Sequence, residues 1–174
     1  MSVEKVKPGK VIVLRVPNKE YSNKLISFIK KLPKQPICYV TINKSYDALI
    51  SLFKEKKVDP GRFFFIDCVT KTIVDPKACP NNCVYIPSPK DLTAISLAIG
   101  AIIKKYSPLI IVDSLSTLAV YHSENVLIHF SYDLISKAGL NANVCLVLSI
   151  AEADKRKDFA QKIEMKADEI IELK

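Results

Sequence analysis

The sequence predicts an α/β fold of three layers, with a mainly parallel central sheet covered by helices on both faces. Apolar runs of strand length alternate along the chain with longer segments of helical period. Those runs are continuous instead of alternating, as strands buried on both faces require. At 174 residues, 49% hydrophobic and 25% charged, the chain has the size and composition for one core, so one domain over residues 1–174 is expected.

The β-branched run VIVLRV (11–16) opens the sheet, and a helix near 19–32 follows with Leu25, Phe28, Ile29 and Leu32 on one face until Pro33 stops it. ICYVTI (37–42) is the second strand. Tyr46, Leu49, Ile50 and Phe53 form the stripe of a helix from about 45 to 57, and a turn at Asp59-Pro60-Gly61 leads into FFFID (63–67). Four prolines between Cys68 and Pro89 predict a loop with no more than a short strand at VYI (84–86). Asp91 is placed to cap LTAISLAIGAIIKKY, a helix apolar on most faces and therefore buried. LIIVD (109–113) is a strand ending in an acid, a helix runs from about 124 to 138, and NVCLVLSI (143–150) is a further buried strand. The charged segment 152–166 is expected to be helical, and ADEIIEL (167–173) closes the sheet as an edge strand. The strand at 11–16 is expected beside 143–150, and 143–150 beside 109–113.

Composition narrows the function classes. No apolar run reaches the roughly 18 residues a membrane span needs, and MSVEKVKPGK is too charged for a secretory signal, so a cytoplasmic protein without a membrane partner is expected. The 26 Lys+Arg against 18 Asp+Glu give a net charge of +8. The excess is mostly lysine strung along the chain, with few arginines for bidentate phosphate contacts, which makes nucleic acid the less favoured partner. Cys38 and Cys145 sit in apolar runs as small buried hydrophobes. Cys79 and Cys83 are expected in a surface loop, without the further ligands a structural metal needs.

The strongest local feature is Asp113 followed by Ser114, an acid at the C-terminal end of an apolar strand, where open α/β sheets bind ligands. The stretch IIVDSLSTLAVYHSENVLIHFSYDLISK resembles the Walker B region of RecA/KaiC-like ATPases of the archaeal type, and DPGRFFFIDCVT resembles an upstream stretch of the same group. The resemblance implies a RecA-like core and would give Asp113 the task of orienting Mg²⁺.

Departures from the family pattern carry the functional expectation. Where the resemblance calls for G-x-x-x-x-G-K-[ST], whose backbone N–H groups close around phosphates, the chain has Pro17-Asn18-Lys19-Glu20-Tyr21-Ser22-Asn23-Lys24. Both glycines are missing, Asn23 replaces the lysine, and Lys24 replaces the Mg²⁺-binding hydroxyl. Pro17 and Tyr21 take freedom and space from the loop, and Glu20 adds a negative charge near the phosphate position. Where the family places a water-activating glutamate, the chain has Asn43-Lys44, neither of which serves as that base. Ser114, Ser116 and Thr117 have no base motif beside them, and His122 and His129, seven apart, fall near one helix face without a motif partner. The expectation is a degenerate domain that uses no cofactor, has no catalytic residue, and acts through contacts with itself or a related RecA/KaiC-like ATPase. A divergent site holding ATP and Mg²⁺ on Asp113, Lys19 and Lys24 is the rival, and a nucleic-acid accessory module a second one.

Overall fold

The computed structural model describes residues 3–106, 108–152 and 157–174. Seven strands form one sheet: β1 Val11–Val16, β2 Ile37–Thr41, β3 Phe63–Asp67, β4 Cys83–Tyr85, β5 Leu109–Asp113, β6 Cys145–Ala151 and β7 Glu169–Glu172. Their order is β4-β3-β2-β5-β6-β1-β7, and every pairing is parallel. The central trio runs β5-β6-β1, as expected from the buried character of the three runs, and β7 closes one edge. The rows of apolar residues in β1, β2, β5 and β6 are buried on both sides, which is why these strands lack the alternating pattern of a half-exposed sheet.

Helices α1 Tyr21–Lys31 and α2 Tyr46–Glu55 cover one face of the sheet. On the other lie α4 Leu92–Tyr106, α5 Leu115–Leu118, α6 Glu124–Gly139 and α7 Lys157–Glu164. The four-residue α3, Thr70–Ile73, follows β3. Under α2, Phe53 meets the Phe63 ring at 4.9 Å and Tyr39 edge-on at 6.0 Å. Such pairs add about 0.5–1.5 kcal/mol each beyond the area they bury. The caps follow from sequence: the Ser45 side chain accepts from Ala48 N, Asp91 accepts from Ala94 N at 2.9 Å, and Pro33 stands just past the last turn of α1.

Two expectations change. Cys83 is not in a surface loop; it opens β4, pairs with Phe65 and is 5% exposed, whereas Cys79 is exposed. The strand starts one residue earlier than the VYI run indicates because the Phe65 N–H donates to Asn82 O at 2.8 Å and brings Cys83 into register with Phe65. The segment 152–166 is helical only as α7, and its residues 153–156 lie outside the described residues. No described helix is long and apolar enough to cross a membrane.

Candidate functional site

Parallel strands deliver all their C-terminal ends to one edge of the sheet, and the register there puts two acids in line: Thr41 of β2 pairs with Asp67 of β3 on one side and with Asp113 of β5 on the other. Both carboxylates are buried, Asp67 at 0% and Asp113 at 3% exposure. A buried carboxylate must be matched by donors, and the two are matched differently.

Asp67 is satisfied largely by backbone. Tyr46 N donates to Oδ2 at 2.7 Å, Val69 N and Thr70 N donate to Oδ1 at 2.7 and 2.9 Å, and the Thr70 hydroxyl donates to Oδ2. The acid thereby caps α3 and ties the first turn of α2 to the end of β3.

Asp113 is satisfied by phenols. Tyr21, the first residue of α1, donates to Oδ1 at 2.8 Å, and Tyr39, from the middle of β2, donates to Oδ2 at 2.5 Å. The Tyr21 hydroxyl also lies 2.9 Å from Ser149 Oγ on β6, and Ser149 donates to Val112 O at 2.9 Å. Burial pushes the Asp113 carboxyl above the usual carboxylate range, while the two phenols and the charge of Lys44 pull it back in part. The same burial, with the acid alongside, raises both tyrosine hydroxyls well above their ordinary value.

Above this network opens a cleft of about 400 Å³. The β1–α1 connection contributes Asn18, Tyr21 and Ser22 to its walls, and the β2–α2 connection contributes Asn43 and Lys44. Ser114, Ser116, Thr117 and Val120 close it from beyond β5. Thus the structure brings together residues from all three segments named from sequence. Pro17, Lys19, Glu20, Asn23 and Lys24 are not among the walls. Lys24 instead lies 4.0 Å from the Glu20 carboxylate, and Glu20 adopts a left-handed backbone at φ 61°, a conformation that glycine takes without strain. Only four residues separate β1 from α1, and Tyr21 at the start of α1 sends its hydroxyl to Asp113 and Ser149.

Other candidates resolve into structural roles. Ser114 caps α5, accepting from Thr117 N at 3.1 Å, and Ser116 Oγ accepts from Ala151 N at 2.9 Å. His122 precedes α6 and contacts Pro89 O at 3.1 Å, whereas His129 is exposed on α6, so the two do not share a helix face. A second cleft of about 380 Å³ beside β1 and β6 is walled by Arg15, which Glu164 clamps through two bonds of 2.6 and 2.8 Å, a staple between β1 and α7. Among the described residues no group of three or more His, Cys, Asp or Glu is arranged to hold a metal. Tyr39 and Ser149 were passed over in the sequence. Their signal was a hydroxyl inside an otherwise apolar strand, which must find a partner once buried.

No protein-family model matches the chain, and no curated protein matches it by sequence. Among solved structures it is similar to KaiC-like protein PH0186 from the hyperthermophilic archaeon Pyrococcus horikoshii OT3, with a TM-score of 0.68 at 15% identity, covering 96% of this chain and 74% of that one. The fold is a KaiC-like, RecA-type α/β core. At that identity the likeness concerns architecture, and the cleft at the C-terminal edge of the sheet is where such a core places ligands.

Proposed function

We propose that this chain is a non-catalytic RecA/KaiC-like domain, working through its surfaces as a regulatory or assembly component that pairs with itself or with an active relative. One observation carries the reading: both oxygens of Asp113 already accept from Tyr21 and Tyr39. The acid that the resemblance assigns to Mg²⁺ is thereby occupied by side chains of the chain itself, one of them from the very segment that should hold phosphates.

The residues present do not fit Mg²⁺ and ATP. Glycine-free Pro17–Lys24 cannot wrap converging N–H groups around a phosphate, and among the described residues Lys44 is the lone cation on the cleft walls. A polyphosphate would meet a desolvation cost with little to offset it. Lys19 and Lys24, which the rival reading would recruit, stand outside the cleft.

The purified protein with Mg²⁺ and ATP is expected to show no turnover above an Asp113→Ala control. Its melting temperature is expected not to move with nucleotide, where a ligand at about 100 times its dissociation constant would add roughly 2.7 kcal/mol. Turnover that Asp113→Ala abolishes overturns the proposal and promotes the divergent ATPase.

A further inference from the structure

The lysines that look scattered in sequence are gathered by the topology. In an all-parallel sheet every connecting helix returns from the C-terminal edge to the N-terminal edge, so every helix C-terminus arrives at the same place. Each described helix of eight or more residues carries lysine in its last turn: Lys30 and Lys31 on α1, Lys54 on α2, Lys104 and Lys105 on α4, Lys137 on α6, Lys162 on α7. The helix dipole favours a cation there and accounts for those positions. It does not reach Lys34, Lys57 or Arg62, which lie beyond the helices on the same edge. Over 30–34, 54–62 and 104–106 the edge carries nine basic residues against Glu55 and Asp59, in a chain whose whole net charge is +8.

Within this basic edge lies an apolar notch of about 230 Å³. Pro36, Phe63, Phe64, Ile102 and Tyr106 wall it, with Arg62 as its charged lining residue. Tyr106 is 49% exposed, and the Lys105 ammonium rests 4.9 Å from its ring centroid. Lys34 stands two residues before Pro36 and is exposed. Arg62 donates to Pro33 O, which holds the turn before β3 against the α1–β2 connection, while its buried Nε has no partner. An apolar socket with a cationic rim is therefore built at the junction of three connections.

We infer that the N-terminal edge of the sheet docks an acidic segment of a protein partner, its carboxylates on the lysine rim and one apolar side chain in the notch. This rests on the reading of the chain as an interaction component and supplies the chemistry of its partner. Charge complementarity selects an acidic ligand, and the apolar socket selects a side-chain anchor. Lysine predominance and a single exposed ring favour carboxylates over a nucleic-acid strand, which would be served by arginine forks and several stacking platforms.

The test uses the full chain and three fluorescent probes in anisotropy titrations: the peptide Glu-Glu-Glu-Glu-Phe-Glu-Glu-Glu-Glu, the same peptide with Gly for Phe, and oligothymidylate of comparable charge. The Phe peptide is expected to bind in low salt, at least about tenfold tighter than the Gly peptide, and to weaken as salt is raised. Lys34→Glu with Lys105→Glu is expected to weaken it at least tenfold, while Lys71→Glu with Lys77→Glu, an equal change of charge on exposed residues outside this edge, leaves it within about twofold. Tyr106→Ala, an exposed position, is expected to erase the preference for Phe without touching the salt dependence. Equal losses from both charge-reversal pairs, no preference for Phe, no binding of the Phe peptide, or tighter binding of oligothymidylate each overturns the inference, the last in favour of nucleic acid. ATP hydrolysis by the protein would overturn the functional reading and leave this docking result standing, so the two failures are distinguishable.

Discussion

Asp67 and Asp113 flank the same residue of β2 at the same edge, and both are removed from water. One is gripped by three backbone N–H groups and a neighbouring hydroxyl; the other by two tyrosines brought in from α1 and β2. The difference separates an acid that shapes the chain from an acid that the chain has enclosed. Backbone donors are removed only by proline, so any other substitution at Tyr46 or Val69 leaves Asp67 its partner there. Side-chain donors can be edited, and at Asp113 both oxygens accept from them.

The sharpest way to break that contrast is to remove Asp67. Asp67→Ala strands the N–H groups of Tyr46, Val69 and Thr70, and each buried unmatched donor costs about 1–3 kcal/mol. A loss of about 4 kcal/mol is expected, a drop of roughly 10 °C in melting temperature for a chain of this size. Urea titration checks it. If Asp113→Ala proves the more damaging of the two, the assignment of roles is reversed.

Next in size is Tyr39→Phe. It keeps the ring against Phe53 and Phe63 but withdraws the shorter of the two hydrogen bonds from a buried carboxylate, leaving the bond from Tyr21. A cost of about 2 kcal/mol is expected, and a double-mutant cycle with Asp113→Ala is expected to show a coupling above about 0.5 kcal/mol. Additivity in that cycle would mean that the Tyr39 hydroxyl does not act through Asp113.

The two aspartates also mark how far the sequence could be read. Strand identity and the β5-β6-β1 centre follow from unbroken apolar runs, because burial on both faces leaves few alternatives, and the edge position of β7 follows from the alternation in ADEIIEL. The absence of glycine from Pro17–Lys24 was legible because it is a local fact. That Tyr21 reaches Asp113 was not, since the two stand 92 residues apart in sequence and only the fold brings them together. Tyr39 and Ser149 carried a weaker signal, hydroxyls in apolar strands, without an indication of what they would meet. Cys83 was misplaced for a related reason: proline and asparagine nearby announce a loop, while the pairing with Phe65 that makes Cys83 a strand residue is non-local. Charge is the third case. Lysine spacing along the chain conceals an edge that exists only once all the helices point the same way.

The smallest expected effect discriminates best, because its sign is at stake. Tyr21 has one hydroxyl proton and two neighbours, Asp113 Oδ1 and Ser149 Oγ, and Ser149 has one proton with Val112 O and Tyr21 to choose between. With an ionised Asp113, Tyr21 donates to the acid and one of the two Ser149 contacts goes without a proton. With a group that donates from this position, every contact is served in turn: residue 113 to Tyr21, Tyr21 to Ser149, Ser149 to Val112, while Tyr39 still donates to the remaining oxygen. Asp113→Asn offers such a donor permanently. Folding raises the Asp113 carboxyl above its unfolded value, so the native acid contributes its full stability below roughly pH 3.9 and loses it as pH climbs through the raised folded value. The asparagine variant has no such loss. It is expected to match the native protein near pH 4 and to exceed it at pH 7 by no more than about 1 kcal/mol, whereas Asp67→Asn, which trades an acceptor for a donor facing backbone N–H groups, is destabilised at both. Urea titrations at the two pH values decide it. An Asp113→Asn variant that is more than about 2 kcal/mol less stable at pH 7, or whose advantage grows on acidification, would show that the enclosed acid is held for its charge.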